Sequence, residues 1–324
     1  MSVKRFFVVI IALIIVAAAT AGVYVHYGSN KNDDENGSKV KASANSNTEE
    51  EKKRQEEEKK KAEEEKKKAE EKARLDKWKT DMEAAINSYL GSNASKVGMV
   101  YYDLTFDQKI AINEEKVFTA ASTVKVQINM LAYDWVKQGK LKLDETMQYI
   151  NSDYEGGTGL LQGMDKSKPF PIQMLLDYSI KYSDNIATHM LQRRLGGAKA
   201  IRQMANELVG TNTDIEENKI TAEQEFRLLK KLYENREDEN YAHLLSVMKD
   251  TTFHDRIDKY LPHEICAHKI GNYENYTHDV AIVFTEKPYI LVVYTQGLPS
   301  TKEKPVEEII AGLSKLIYDE QLKK

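Results

Sequence analysis

Three short polar strings in this chain of 324 residues could together supply a nucleophile, a base and a substrate-binding surface. They are Ser122-Thr123-Val124-Lys125, Ser183-Asp184-Asn185 and Lys269-Ile270-Gly271, in that order. A serine hydroxyl is a poor nucleophile until a neighbouring base removes its proton. Because residues three apart on a helix share a face, the amine of Lys125 can approach Oγ of Ser122. The first string therefore predicts a nucleophile, Ser122, with Lys125 as its base.

The apolar residues around the first string predict that it opens a buried helix. Val124 and Val126 follow Ser122, and the N-terminal end of a helix presents free N–H groups that can stabilise an oxyanion. Burial and the positive charge of Lys269 would both lower the pKa of Lys125. Taken alone, the string is also typical of a surface lysine one turn after a serine that caps a helix.

The second string can position a substrate and move a proton. Ser183 would relay a proton between Lys125 and the leaving nitrogen, Asn185 would hold the substrate amide, and Asp184 would fix the turn. The alternative is a helix cap, because polar residues between two helices commonly bond to the backbone.

The third string ends an apolar strand. Gly271 would let a substrate backbone lie against the strand edge, and Lys269 would offer positive charge to an anionic substrate group. A lysine beside a turn glycine is common at the end of a strand. The chemical prediction therefore rests on the three strings in combination.

Apolar patterning predicts strands on both sides of a mostly helical centre, which runs from about Ala121 to Tyr241. A helix with apolar residues at helical spacing precedes the strands from Leu75 to Gly91, and Pro305 opens a last amphipathic helix. The predicted strands are Val97–Asp103, Lys109–Ile112, Glu264–Ile270, Asp279–Thr285 and Tyr289–Thr295. This order predicts an α/β fold of the α+β type. An antiparallel sheet of about five strands would carry the N- and C-terminal helices, with a helical subdomain beside it.

From about residue 75 to 318 the chain resembles the class A β-lactamases and related penicillin-recognising serine hydrolases. The three strings match the family's S-x-x-K, S-D-N and K-T-G motifs, the last at two of three positions. Further segments look like the family's nucleophile helix, the stretch before S-D-N, the glycine pair after it and the strand region: Phe118–Asp144, Glu155–Gln162 (EGGTGLLQ), Leu195–Gly197, Arg256–Ile257, Leu261–Pro262 and His278–Ala281.

The resemblance implies a role for each matched residue. It implies that Ser122 is acylated, that Lys125 is the base, that Ser183 shuttles the proton and that Lys269 pairs with a substrate carboxylate. It also implies an oxyanion hole formed by the N–H groups of Ser122 and Asn272. The implied partner is a β-lactam or a peptidoglycan stem peptide.

Two departures from the family pattern bear on turnover. Residues 211–220 form a shorter segment than the family's Glu-x-x-x-Asn loop, whose glutamate activates the deacylating water, and Ile270 replaces a threonine or serine that helps to bind the substrate carboxylate. We therefore predict slow deacylation and weak carboxylate recognition. Asp214, Glu216 or Glu217 could act as a substitute base, but solvated loop acids are the simpler interpretation.

The residues before the domain predict membrane attachment. Phe6 to Val25 carry no charge, follow Lys4 and Arg5, and are long enough to span a bilayer, which places the domain outside the cell in a bacterial envelope. A cleaved signal peptide is the alternative. The expected segments are a cytoplasmic tail at 1–5, a transmembrane signal-anchor at 6–27, a flexible linker at 28–48, a charged helical spacer at 49–74 and the hydrolase domain at 75–324.

The spacer repeats EEEKKKA with a period of seven residues. Its Glu-to-Lys pairs at i,i+4, such as Glu56–Lys60, Glu57–Lys61, Glu63–Lys67 and Glu64–Lys68, favour a solvated single helix. A dimeric coiled coil is the alternative, although the seam positions lack large apolar residues.

Composition excludes several other classes of function. The formal net charge of -4 gives no basic excess for nucleic acid, and the single cysteine, Cys266, excludes an intrachain disulfide or a thiolate metal cluster. The histidines show no H-E-x-x-H or similar spacing, so we expect no metal and no cofactor. We expect the domain to be monomeric. Two alternatives to a slow penicillin-binding or peptidase-like hydrolase remain: an efficient β-lactamase, and a non-catalytic module that binds cell-wall fragments.

Overall fold

A computed structural model describes residues 40–302 and 305–324 of the chain. These residues form two compact units that meet in sequence after Glu70.

The described part of the first unit is helical. Helix α1 spans Val40–Leu90, and its residues up to Glu70 belong to this unit. Side chains from residue 51 to 70 are exposed, and i,i+4 ion pairs join three of the four pairs expected from the sequence, Glu56–Lys60, Glu63–Lys67 and Glu64–Lys68. Such exposed pairs each contribute only about 0.2–0.5 kcal/mol to helix stability.

The start of α1 differs from the predicted boundary. Residues 40–48, which we assigned to a flexible linker, are helical, because they contain neither glycine nor proline and run directly into the strongly helix-forming Lys/Glu tract. The rest of that linker, the predicted anchor at 6–27 and the tail at 1–5 lie outside the described residues. Across residues 40–302 and 305–324, no helix combines the length and hydropathy needed to cross a membrane.

The second unit is built on an antiparallel five-stranded sheet in the order β2-β1-β9-β8-β7. Its strands are β1 (Val97–Asp103), β2 (Gln108–Ile112), β7 (Cys266–Tyr273), β8 (Tyr276–Val283) and β9 (Tyr289–Thr295). The predicted fold class and strand number are therefore confirmed. The bounds of β1 and β9 match the predicted ones, whereas β7 and β8 are displaced by two to three residues.

Both faces of the sheet are covered, so the central strand β9 is buried along its whole length. In β9, Leu291 and Val293 pack against the terminal helices, whereas Ile290 and Val292 pack against the helical part of the domain. This alternation follows from the two-residue side-chain period of a strand. Full burial of each such residue contributes roughly 1.5–3 kcal/mol.

The N- and C-terminal helices pack together on one face of the sheet. Met82 and Ile86 of α1 share a core with Ile310 and Leu313 of α8, which spans Val306–Leu322. Trp78 Nε1 also donates to the carbonyl of Glu320 at 3.0 Å. The two terminal helices predicted from sequence lie where the fold class requires them.

The other face carries the helical subdomain. Its helices are α2 (Val124–Lys137), α3 (Ile172–Lys181), α4 (Asn185–Arg194), α5 (Ala198–Val209), α6 (Ala222–Glu234) and α7 (Glu239–Lys249). Short strands β3 (Val117–Thr119) and β6 (Lys219–Thr221) pair with each other, as do β4 (Thr146–Met147) and β5 (Phe170–Pro171). Helix α2 runs through the centre of this subdomain, and its residues from Val124 to Tyr133 are buried.

Candidate active site

The predicted nucleophile lies on a tight turn at the start of α2. Residues Ala121–Thr123 form a 3-10 turn that leads into α2, and Ser122 is half-buried on it. Ala121 has a φ of 49°, a left-handed conformation that is uncommon for a residue with a side chain. A Cβ at Gly271 would lie only 3.1 Å from the carbonyl oxygen of Ala120, so β7 approaches this turn closely and a larger residue there would require a small shift of the turn.

Lys125 extends from α2 into the Ser-Asp-Asn turn. Its Nζ donates to the Ser183 carbonyl at 2.6 Å, to Asn185 Oδ1 at 2.7 Å and to Ser183 Oγ at 3.1 Å. Burial lowers the pKa of Lys125 to about 7, against the opposing effects of the Glu155 and Asp184 carboxylates. The lysine can therefore be neutral and act as a base near physiological pH.

The hydroxyl of Ser183 lies between two lysine amines. Lys269 Nζ, on β7, donates to Ser183 Oγ at 2.9 Å and also to the Ile270 carbonyl at 3.0 Å. Burial lowers the pKa of Lys269 well below its usual value, and repulsion from Lys125 lowers it further. Ser183 has a φ of 52°, so its backbone is held in the left-handed region. The arrangement provides a hydrogen-bonded path from Lys125 through Ser183 to Lys269.

The expected direct hydrogen bond between the nucleophile and its base is absent. Within the described ranges, Ser122 Oγ makes no hydrogen bond of 3.5 Å or less, whereas Lys125 Nζ is satisfied by the Ser-Asp-Asn turn. Catalytic hydrogen bonds are often long before substrate binds, and this arrangement does not remove Lys125 from consideration as the base.

Asp184 fixes the turn that carries Ser183 and Asn185. Its carboxylate accepts from Ala187 N at 2.9 Å, as the N-cap of α4, and from Leu161 N at 2.8 Å in the preceding loop. The loop passes so close that a Cβ at Gly159, where φ is 121°, would overlap the Asp184 carboxyl group. The sequence allowed two interpretations of Asp184, a helix cap or a residue that fixes the turn. The N-cap hydrogen bond to α4 does both.

A cleft of about 730 Å³ brings most of the predicted residues together. Its lining contains Ser122, Lys125, Ser183, Asn185 and Asn272. Lys269 and Gly271 lie in the wall behind this surface, where Lys269 is 1% exposed. Ile270 does line the cleft, so an apolar side chain faces the position where the family has a hydroxyl.

Only part of the shortened loop, residues 211–220, lines the cleft. Glu217 and Asn218 line it, and Asn218 is fixed to the nucleophile turn by Nδ2 donating to the Ala121 carbonyl at 3.2 Å. Glu217 pairs at 3.0 Å with Lys219, which also lines the cleft. Glu216 pairs with Lys199, and Asp214 accepts from the backbone N–H of Glu216. All three acids are exposed.

A buried acid beneath the nucleophile turn was not expected from the sequence. Thr123 Oγ1 and the hydroxyl of Tyr294 are 2.7 Å apart, and Tyr294 donates to Glu225 Oε2 at 3.3 Å. Burial raises the pKa of Glu225 to about 8, although the Tyr294 hydrogen bond lowers it. Glu225 occupies an apolar-facing position of amphipathic α6, and this mismatch with the helical pattern is the signal that could have identified it.

A model of a known protein family matches most of the chain. The family model described as "Beta-lactamase enzyme family" matches residues 81–321 of the chain. That span contains all seven residues of the predicted site.

Two sequence relatives of low identity are named as β-lactamases. The extended-spectrum β-lactamase PER-1 of Pseudomonas aeruginosa is 23% identical over 274 residues, covering 75% of this chain and 88% of the relative. The β-lactamase VEB-1 of the same organism is 20% identical over 268 residues, covering 74% and 90%.

Solved structures share the fold. PBP-A is 22% identical with a TM-score of 0.68, covering 76% of this chain and 97% of that chain. The TLA-3 extended-spectrum β-lactamase is 24% identical, also with a TM-score of 0.68, covering 76% and 99%. A third structure, a point mutant of PBP-A, is described as an acyl-enzyme complex with penicillin G.

Proposed function

The chain belongs to the β-lactamase enzyme family, and from this premise we propose that it is a serine hydrolase that forms an acyl-enzyme at Ser122. The observation that carries the proposal is the pair of buried amines, Lys125 and Lys269, which both donate to Ser183 Oγ in the wall of the cleft that Ser122 lines. Burial of two amines is unfavourable unless they are hydrogen-bonded, and here both bond to the residue suited to relay a proton.

The proposed acylation uses only groups of this chain. Neutral Lys125 takes the proton of Ser122 Oγ, which attacks the carbonyl carbon of the substrate. The N–H groups of Ser122 and Asn272 hold the oxyanion. When the carbon–nitrogen bond breaks, the leaving nitrogen takes a proton from Ser183 Oγ, and Ser183 regains one from Lys125. The serine is left acylated and the lysine neutral.

We assign β-lactams and cell-wall peptides ending in D-Ala as the substrate classes. Names of the relatives support the first class, since PER-1 and VEB-1 are β-lactamases and a PBP-A mutant was captured with penicillin G. Deacylation is slow, because each loop acid already has a partner: Glu216 pairs with Lys199, Glu217 pairs with Lys219, and Asp214 accepts from the backbone of Glu216. The enzyme is accordingly penicillin-binding or peptidase-like rather than an efficient β-lactamase.

The test follows the protein's intact mass over time after a penicillin is added. We expect one equivalent of adduct, mapped to the peptide that contains Ser122, and slow loss of that adduct. Ser122→Ala should abolish the adduct, whereas Ser246→Ala, which changes an exposed serine of α7, should not. An adduct on another residue would contradict the proposed nucleophile.

A binding module is the second candidate function, favoured by Ile270 in the cleft. It predicts that the wild-type protein forms no adduct with any β-lactam or acyl-D-Ala ester, yet binds peptidoglycan fragments reversibly. Reversible binding that survives Ser122→Ala, with no adduct in the wild type, would establish this alternative.

We further propose that the domain is monomeric, lies outside the cell and is tethered to the membrane through residues 6–27 by the helical spacer. Full-length protein should remain with the membrane fraction, and protease added outside intact cells should digest the domain. A mature form that begins near residue 20 to 30 and is free in the medium would instead indicate a secreted enzyme.

A further inference from the structure

A second cluster of chemically competent side chains lies away from the cleft, around the carboxylate of Asp258. Asp258 Oδ2 is close to His254 Nδ1, with which it forms a short hydrogen bond, and is 3.3 Å from His268 Nε2 and 4.0 Å from His263 Nε2. The rings of His254 and His263 are stacked, with centroids 4.1 Å apart and planes within 1°. Three imidazole nitrogens thus converge on one carboxylate oxygen.

Two buried polar atoms of the cluster make no hydrogen bond within the described residues. His268 is 1% exposed and Asp258 is 0% exposed, yet His268 Nε2 and Asp258 Oδ1 have no hydrogen-bond partner of suitable geometry within residues 40–302 and 305–324. A buried unsatisfied polar atom costs about 1–3 kcal/mol, so such atoms call for a ligand or another explanation.

His268 is oriented as metal-binding histidines are. Its Nδ1 is held by Asp279, whose carboxylate oxygens lie 3.0 and 3.1 Å away. Asp279 is itself fixed by the backbone N–H groups of Ile257 at 2.9 Å and Val280 at 3.0 Å. A carboxylate on one imidazole nitrogen sets the ring so that the other nitrogen can coordinate an ion. Here the other nitrogen, Nε2, faces Asp258.

We propose that His254, Asp258 and His268 bind a divalent transition-metal ion of the zinc type, with His263 as the fourth ligand. The ligand atoms of the first three residues all lie within 4.8 Å of one another. For bonds of about 2.0–2.1 Å in a tetrahedron, ligand atoms are about 3.3 Å apart. The His268–Asp258 separation of 3.3 Å already has this value. The short His254–Asp258 contact would have to lengthen on binding. The exposed ring of His263, 4.0 Å from Asp258 and parallel to the ring of His254, would have to turn out of that stack to present its nitrogen to the ion.

The donor set favours zinc over the hard cations. Three imidazoles and one carboxylate suit a borderline ion such as Zn²⁺, whereas Ca²⁺ and Mg²⁺ prefer oxygen ligands. Without an ion, the cluster is a buried ion triad in which His268 lies between the carboxylates of Asp258 and Asp279. A metal ion at Nε2 would replace the proton there.

The ion would brace one wall of the catalytic cleft. Phe253, Asp255 and Arg256, which line the cleft, belong to the irregular segment that also carries His254 and Asp258. The same ion would join this segment to β7 at His268, the residue before Lys269. Cys266, two residues before His268 on β7, packs on the sheet face that carries the terminal helices, so the ion would lie on that face.

The test uses the full-length protein without a histidine tag. Equilibrium dialysis against Zn²⁺ should give one bound ion, and Co²⁺ should give the visible absorption of a tetrahedral complex. His254→Gln and His263→Gln, which change partly exposed rings, should each lower Zn²⁺ affinity at least about tenfold, as loss of even an indirect partner costs 10–100-fold. His243→Gln is the matched control, since His243 is half-exposed and paired with Asp177 at 2.8 Å.

The same variants show whether a loss of Zn²⁺ binding results from unfolding of the protein. Each should keep the circular-dichroism spectrum of the wild type, and added Zn²⁺ should raise the melting temperature of the wild type and of His243→Gln alone. Absence of Zn²⁺ binding by the wild type would overturn the proposal and leave the ion triad as the only state. Binding unaffected by both His254→Gln and His263→Gln would overturn it equally.

Discussion

The two sides of the cleft are supported in opposite ways. On the acylation side, Lys125, Ser183 and Lys269 are almost fully buried and bonded to one another. On the loop side, Glu216 and Glu217 are exposed and paired with Lys199 and Lys219. The groups proposed to form the acyl-enzyme belong to the core, whereas the acids of the shortened loop belong to the surface.

The groups proposed for acylation and the loop expected to support deacylation therefore lie in different environments. A buried lysine is tolerated only with its hydrogen-bond partners, so a change on the acylation side disturbs packing as well as chemistry. A surface loop can shorten at little cost to the fold. The proposed combination of acylation with slow deacylation therefore requires no change of fold, and substitutions on the two sides should have very different effects.

The largest effect is expected from Lys125→Ala. Loss of a general base slows acylation by about 10²–10⁴-fold. The lowered pKa of Lys125, about 7, means that the neutral amine accumulates as pH rises, so wild-type acylation should increase up to about pH 7 and then level off. Stopped-flow acylation from pH 5 to 9 measures both effects. Lys137→Ala, on the exposed end of α2, is the control, and an unchanged wild-type-like pH profile in Lys125→Ala would exclude Lys125 as the base.

The buried acid beneath the nucleophile should make stability depend on pH. Because the folded-state pKa of Glu225, about 8, exceeds its unfolded value, its contribution is fully present below about pH 4.5 and is lost as pH rises towards 8. The slope in that window is at most about 1.4 kcal/mol per pH unit. Urea unfolding at several pH values should show this slope weakened in Glu225→Gln and unchanged in Glu237→Gln. An identical slope in both variants would show that Glu225 is ionised in the fold.

A gain is expected from Ile270→Thr. The new hydroxyl would face the cleft and donate to a substrate carboxylate, and a hydrogen bond to a charged group contributes about 1.5–3 kcal/mol. Acylation efficiency with a carboxylate-bearing β-lactam should therefore rise about tenfold, with little change for the corresponding ester. Ile270→Val is the control for altered packing. Equal gains with acid and ester would mean that the carboxylate is not the group recognised.

The smallest effects are expected from the loop acids. Asp214→Ala, Glu216→Ala and Glu217→Ala should each change the deacylation rate by less than about threefold, far below the 10²–10⁴-fold of a general base. A chromogenic cephalosporin should give a burst near one equivalent followed by slow turnover. Fast turnover that collapses in one variant would identify that acid as a relocated base; Glu217, which lines the cleft, is the position to examine first.

The sequence by itself determined the fold class and the identity of the candidate site residues. Strands such as Val97–Asp103 and Tyr289–Thr295 have bounds that local apolar patterning already predicted, because both faces of each strand are buried along its whole length. The three polar strings were recognisable because their spacing is local. Their catalytic roles remain predictions.

Only the tertiary structure decided what these residues contact. Lys125 turns towards Ser183, 58 residues away in sequence, rather than bonding to Ser122, three residues away. The Glu225–Tyr294 contact likewise joins distant segments. The residues around Asp258 are close in sequence, between His254 and His268, but their spacing matches no ligand motif, and only the packing of the irregular segment against β7 brings them together. The spacing of apolar residues along a helix or strand indicates which side of that element faces the core. Contacts between polar side chains inside that core are set by how separate elements pack, which no short stretch of sequence encodes.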